Sequence, residues 1–162
     1  KSDSVLANYT IGAATLAAGH KKVSNLVEGV DHKLAYLGAT YSLGQLKLAA
    51  TYHKSTWETS GKADFDVKTK EVGASYALTP KLTAALNYVT TEFGDSPSSK
   101  ITSGSLKYAL SKRTALWTLV SNNTSDALNA DAGSKSPALG ANYANATAGK
   151  GSSYSLGITH SF

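Results

Sequence analysis

The chain has 162 residues, enough for one domain, and is 41% hydrophobic and only 17% charged, with a formal net charge of +5. It has no cysteine, which excludes a disulfide framework and a cysteine-based metal site, and no run of 18 apolar residues, which excludes a transmembrane helix. Its basic residues adjoin only as pairs, Lys21-Lys22 and Lys112-Arg113, so no nucleic-acid partner is expected.

Lys1 opens directly on polar residues, without the apolar segment of a signal peptide, so the chain is expected to be mature or a fragment. A first strand is predicted from about Ser4 to Ile11, with Val5, Ala7, Tyr9 and Ile11 on one face. Gly12-Ala13 turns the chain. A second strand, about Ala14 to Lys22, puts Ala14, Leu16, Ala18 and His20 on the bulky face. Val23 to Asp31 reads as a polar loop. A third strand, about His32 to Leu43, aligns Leu37, Ala39, Tyr41 and Leu43. After Gly44-Gln45 a fourth, about Leu46 to Thr59, aligns Leu46, Leu48, Ala50 and Tyr52.

Beyond a loop at Ser60 to Asp64, a fifth strand, about Phe65 to Leu78, sets Val72, Ala74, Tyr76 and Leu78 against Glu71, Gly73 and Ser75. Thr79-Pro80-Lys81 is a turn, with Pro where no ladder donor is needed. The sixth strand runs to about Phe93 and sets Leu82, Ala84, Leu86 and Tyr88 against Thr83, Ala85, Asn87 and Val89. Gly94 to Ser99 reads as a loop, and a seventh strand, Lys100 to Leu110, sets Leu106, Tyr108 and Leu110 against Ser103, Ser105 and Lys107. Ser111-Lys112-Arg113 turns into an eighth, about Thr114 to Asn122. The repeat puts Thr114, Leu116, Thr118 and Val120 on its bulky face; an offset of one residue would put Trp117 there instead. An Ala/Gly/Ser/Asn-rich stretch to Gly151 reads as a long loop, with Tyr143 marking where a further strand would fit. The ninth and last strand sets Tyr154, Leu156, Ile158, His160 and Phe162 against Ser155, Gly157, Thr159 and Ser161.

A hairpin repeat underlies this order. Tyr9-Thr-Ile11, Tyr41-Ser-Leu43, Tyr76-Ala-Leu78 and Tyr108-Ala-Leu110 each precede a short turn, at spacings of 32, 35 and 32 residues. A tier of Tyr9, Tyr41, Tyr76 and Tyr108, joined by Tyr154 and Phe162 on the last strand, suits an aromatic girdle at a membrane interface. Ordinary β-propensity would also place tyrosines in strands, but not in one register. The opposite face is mostly Ser, Thr, Gly, Ala and Asn, where a soluble sheet would expose many charges. Lys68 and Lys70 have the parity of the bulky face but lie near the loop end, where a lysine on a lipid face costs little. Turns at one end need two to four residues and loops at the other five to nearly thirty, as in outer-membrane barrels. The fold class is therefore all-β: an antiparallel up-and-down transmembrane barrel of about nine strands, with no separate soluble domain in 1–162.

No catalytic constellation is present. His20, His32, His53 and His160 are expected in different hairpins, without an HExxH pattern, and no Ser sits in a GxSxG elbow. His160 is expected on the outer face near the rim. Asn8, Asn122, Asn123 and Asn145 match a glycosylation pattern by chance of composition. Neither an enzyme nor a cofactor is expected.

Three stretches carry a family resemblance. Tyr108-Ala-Leu-Ser-Lys-Arg-Thr-Ala-Leu-Trp117 resembles the penultimate periplasmic hairpin of general porins of the β-proteobacterial or neisserial type. Gly157-Ile-Thr-His-Ser-Phe162 resembles that family's C-terminal strand, including His160, and Leu37 to Leu48 is a weaker likeness. The resemblance implies the C-terminal half of a 16-stranded barrel, usually a homotrimer, in the outer membrane of a Gram-negative bacterium, in contact with its lipid. It also implies that Phe162 is an outer-membrane assembly signal. Topology points the same way: nine strands is an odd number, and complete bacterial barrels are even. An open edge would leave unpaired backbone groups in lipid, so an N-terminal barrel half is expected as partner.

The expected function is passive diffusion of small hydrophilic solutes and ions. Parity puts Lys21, Lys47 and Lys107, with Lys81 and Arg113, on the polar face as pore-lining basic candidates, and Glu71 opposes them in sign. Rings of Lys and Arg favour anions. The plain alternative is that these are solvated wall or turn charges. At the level of function, a non-transport barrel or surface adhesin would work through the stretch from Asn123 to Gly151, and a soluble β-sandwich would need no membrane.

Overall fold

The computed structural model describes residues 1–27, 29–94, 96–124 and 150–162. Nine strands in these residues form one antiparallel sheet in sequential order. They are β1 (Ser2–Ile11), β2 (Ala14–Val27), β3 (Val30–Leu43), β4 (Leu46–Thr59), β5 (Phe65–Ala77), β6 (Leu82–Phe93), β7 (Ser96–Ala109), β8 (Thr114–Asn123) and β9 (Gly151–His160). Each strand pairs with its chain neighbours, so β1 and β9 are the two edges.

Alternation sorts the side chains onto two unlike faces. One face holds every buried residue: Ala49, Ala85, Val89, Phe93, Ile101, Ala115 and Leu119, with Thr69, Glu71, Asn87, Thr91, Ser99, Ser103, Ser121 and Asn123. This is the inward face. The other carries the exposed large hydrophobics of the strands, from Val5 and Tyr9 to Leu156 and Ile158, with Leu6 and Phe65 as exceptions. A water-soluble sheet would bury that second face. Here the polar face is the enclosed one, the inversion required of a wall between lipid and a wet lumen.

The register settles strand eight. Leu116 pairs with Tyr108 and Ile158, both outward, while Trp117 pairs with Lys107 and Gly157. Trp117 therefore faces inward, as the hairpin repeat requires, and the offset placing it in the girdle is excluded. Its indole lies against Gly157: a Cβ there would collide with the ring. The last strand thus uses a glycine to admit a bulky inward side chain. The indole packs against the buried pair Ala85 and Leu119.

The sequence-based loop lengths need correction. Val23 to Asp31 is largely strand, because β2 runs to Val27 and β3 begins at Val30. β7 likewise begins at Ser96, not Lys100, leaving two residues after β6. Among the described residues only Ser60 to Asp64 remains a loop of some length at this end, so the contrast with the short turns is weaker than expected. The physical reason is strand length. Spanning the hydrocarbon takes about 9–11 tilted residues, whereas β2, β3, β4 and β7 have 14. Their outer ends are wet on both faces, so hydropathy stops alternating although the hydrogen-bonded ladder continues. A bulge between Val23 and Val27, with Asn25 at a φ of 52°, interrupts one such end. At the other end Gly12 and Gly44, at φ of 56° and 57°, occupy the first position of two-residue hairpin loops, where a II′-like turn uses glycine. The further strand suggested at Tyr143 and the motif at Asn145 lie outside the described residues.

Candidate pore wall

The outward face is banded. Tyr9, Tyr41, Tyr76 and Tyr108 stand within two residues of the strand ends at the tight turns, and all four are exposed. A second tier lies higher. Tyr52, Tyr88 and Tyr154 each stand six residues from the tight-turn end of β4, β6 and β9. Tyr154 therefore keeps company with Tyr52 and Tyr88 rather than with the tier in which it was expected. Between the tiers lie Val72, Leu86 and Leu106, while Leu48 pairs with Tyr41, and Leu116 with Tyr108 and Ile158, at the height of the lower tier. Phe162 follows the end of β9, fully exposed, its ring edge-on to His160 at 5.0 Å. His160 is outward and near the rim as expected, with Nδ1 2.9 Å from the Thr114 hydroxyl.

Above the upper tier the outward face becomes ionic. Lys22 pairs with Asp31 at 3.5 Å, Lys54 with Asp66 at 2.8 Å and Lys70 with Glu92 at 2.8 Å, while Lys33 meets Glu58. Each pair bridges two neighbouring strands. Thr56 also donates its hydroxyl to Asp66 at 2.7 Å. Lys68 and Lys70 thus lie above the apolar band, where their sequence position suggested. Surface pairs of this kind add little stability individually. Their consequence is one of allocation: four carboxylates are held on the outside.

The inward face has a different balance. Among the described strand residues, Glu71 is the one acidic side chain with inward parity, and it is buried at 4% exposure. Its cross-strand row is Thr51, Val89 and Ile101, and hydroxyl pairs line the same face, Thr69 with Thr91 at 3.2 Å and Ser103 with Ser121 at 3.0 Å. Lys21, Lys47 and Lys107 are inward and exposed. Lys81 and Arg113 are exposed in the turns after β5 and β7, where continued alternation gives them inward parity. Hydrogen bonds hold both turns: Ala109 N donates to the Lys81 carbonyl at 2.7 Å, and Ser161 N to that of Arg113 at 2.9 Å. Lys47, Lys81, Lys107 and Arg113 therefore gather at the tight-turn end. Lys21 does not join them; its row across the sheet runs through Leu34, Ser55 and Val67, near the opposite end.

Two features escaped the sequence reading. The inward face near the outer ends is aromatic: His32 stacks on Trp57 at 4.2 Å and lies 2.6 Å from the Ser55 hydroxyl, and Tyr36 is cross-strand to His53. His32 and His53 share the β3–β4 hairpin, contrary to the expectation that every histidine lies in a different one. Parity already carried the signal, since Tyr36 and Trp57 alternate with the bulky-face residues Leu37 and Tyr52. The second feature, the outward ion pairs, needed cross-strand register. Among the described residues, no group of three or more His, Cys, Asp or Glu could hold a metal ion.

Comparison with known proteins follows the same lines. No curated protein sequence matches the chain. Among solved structures, an anion-selective porin from Comamonas acidovorans superposes with a TM-score of 0.79 at 20% identity, over 99% of this chain and 49% of that one. The outer-membrane protein OmpT of Vibrio cholerae gives a TM-score of 0.68 at 15% identity, over 99% of this chain and 56% of that one. A further porin gives 0.64 at 16% identity, over 80% and 47%. The chain thus spans about half the length of the solved structures it matches. The family model for Gram-negative porins matches residues 2–128. The chain belongs to the Gram-negative porin family.

Proposed function

We propose that this chain forms the C-terminal half of an outer-membrane pore that passes small hydrophilic solutes and ions by diffusion and favours anions. The observation that carries the anion preference is the allocation of charge. Asp31, Glu58, Asp66 and Glu92 are engaged with lysines on the outward face, while Lys47, Lys81, Lys107 and Arg113 make no ion pair among the described residues and share inward parity. A permeating ion feels the local potential of the wall it passes. The name of the Comamonas protein agrees with this preference. The pore performs no chemical step. Its expected partners are outer-membrane lipid, an N-terminal barrel half closing against β1 and β9, and two further copies in a trimer. The half-length match to solved porins supports that closure, as does the cost of open edges in lipid.

Current through the complete barrel in a planar bilayer tests this reading. Under a potassium chloride gradient the reversal potential is expected to have the sign of chloride preference; cation preference, or no conductance, would reject it. The second reading, a non-transport barrel, predicts heat-modifiable barrel behaviour without current.

Phe162 is proposed as the assembly signal. It lies beyond the ladder and is fully exposed, so it contributes little to the packing of the folded sheet. Deleting it is expected to reduce the folded barrel in the outer-membrane fraction several-fold, while the melting midpoint of what does fold barely moves. An equal loss in both would make Phe162 a stability element instead.

A further inference from the structure

A small cleft opens in the inward face between β1, β2 and β3. It has a volume of about 200 Å³, and its inward lining is Ser4, Leu6, Gly19, Lys21, Leu34 and Tyr36. The register explains its form. Ser4, Lys21 and Leu34 stand in one cross-strand row, and Leu6, Gly19 and Tyr36 in the next. Gly19, the one residue of the six without a side chain, leaves room for Leu6 to lean across it. A Cβ there would lie 3.0 Å from Leu6 Cδ1 and 3.3 Å from the Val5 carbonyl oxygen. Tyr36 does not close the hollow, since its ring leans over Gly38, where a Cβ would collide with the phenol. Leu6, at 66% exposure, forms the other wall.

The chemistry of the cleft is amphipathic. Leu6, Leu34 and the Tyr36 ring give it apolar walls beside the Ser4 hydroxyl. Lys21 stands at the rim beside Ser4 and makes no ion pair among the described residues. The nearby acids Asp3 and Asp31 have outward parity, and Asp31 is engaged by Lys22. A simple inorganic ion would not use the apolar walls, and a neutral hydrocarbon would not use the ammonium.

We propose that this cleft is a binding subsite for a small aromatic carboxylate. Its carboxylate sits at the Lys21 ammonium with the Ser4 hydroxyl donating to it, and its ring lies against the apolar surface of Leu6, Leu34 and Tyr36. With about 30 Å³ per water molecule, the cleft has room for roughly six waters or one ring-sized solute. Binding is weak, in the millimolar range, because one exposed ion pair and a shallow apolar contact supply little. Weakness suits a pore, whose sites must release what they bind. The inference rests on the pore reading and adds to it a distinction among anions.

Saturation-transfer NMR on the folded complete barrel in detergent, with benzoate as probe, tests it. Transfer to the benzoate ring is expected, with displacement by a second aromatic carboxylate at concentrations where acetate displaces little. Lys21→Gln is expected to weaken benzoate binding about fivefold, the worth of one exposed ion pair. Gly19→Val is expected to abolish it, because the added side chain displaces Leu6 Cδ1, 3.0 Å from the new Cβ, into the cleft. Absence of transfer in the wild-type barrel, equal displacement by acetate, or unchanged affinity in Lys21→Gln would overturn the proposal. The comparison of acetate with benzoate uses wild-type protein, so it stands even if Gly19→Val does not fold. Chloride conductance of the same preparation separates the two readings. Loss of benzoate transfer with conductance intact counts against the cleft alone, and absence of conductance counts against the pore.

Discussion

Replacing Lys47, Lys81, Lys107 and Arg113 together by glutamate is expected to turn an anion-favouring channel into a cation-favouring one. All four are exposed and gather at one end of the inward face, and each substitution reverses a charge rather than removing it. A unit charge 4 Å from a permeating ion in bulk water contributes about 1 kcal/mol. Two such charges passing from favourable to unfavourable shift the relative barrier by several times RT. The chloride-to-potassium permeability ratio should therefore change by roughly tenfold or more, since about 1.4 kcal/mol is a factor of ten. Salt provides an internal check. The screening length is about 10 Å at 0.1 M and about 3 Å at 1 M, so the change should be large in dilute salt and small at 1 M. Stability should hardly move, because none of the four makes an ion pair among the described residues. Lys21→Glu alone, at the far end of the wall, should change selectivity less. If the fourfold variant conducts with unchanged preference, these charges are solvated bystanders and selectivity arises elsewhere in the complete barrel.

The facing of nearly every strand was legible in the sequence because a period of two needs no knowledge of partners. Tyr76 and Glu71 differ by an odd number of residues, so their faces differ whatever the register. Strand ends were not legible. Ser24, Asn25 and Asp31 look like loop residues by composition, yet they belong to β2 and β3, whose ladder extends past the hydrocarbon into water. There hydropathy ceases to report structure, because both faces are solvated. Height along the strand was legible only relative to the nearest turn. The tight-turn tyrosines could be aligned on four similar hairpins, whereas Tyr154 follows a connection of unlike length and was set in the wrong tier. The gathering of charge had the same character. Lys47, Lys81, Lys107 and Arg113 each lie close to a tight turn and are brought together by the hairpin repeat. Lys21 shares only their parity, and parity says nothing about height. The pairing of Lys54 with Asp66, or of Lys70 with Glu92, depends on cross-strand register. No periodicity within one strand encodes that.

Leu86→Lys gives the most direct test of which side of this sheet meets lipid. Leu86 lies on β6 between the two tyrosine tiers, with Ala74 and Gly104 opposite it, and it is 67% exposed. In water such a residue is an ideal site for lysine, and an exposed substitution of this kind changes stability by no more than about 0.5 kcal/mol. On the lipid face of a barrel the same change places an ammonium near the middle of the hydrocarbon, at a cost of about 2–4 kcal/mol. The two environments thus predict different outcomes from one side chain. Leu86→Lys is expected to lower the unfolding midpoint in detergent or lipid strongly and to deplete folded barrel from the outer membrane. Leu86→Phe, which keeps the apolar surface, should remain near wild type because the ring has only lipid tails to displace. A tolerant Leu86→Lys would require this face to be covered by something other than lipid. The neighbouring inward position offers the control: Ser105, half-buried beside Ala85 and Leu119, should accept threonine at little cost. The outward band then owes its tolerance to the fluidity of lipid and its intolerance to the charge alone.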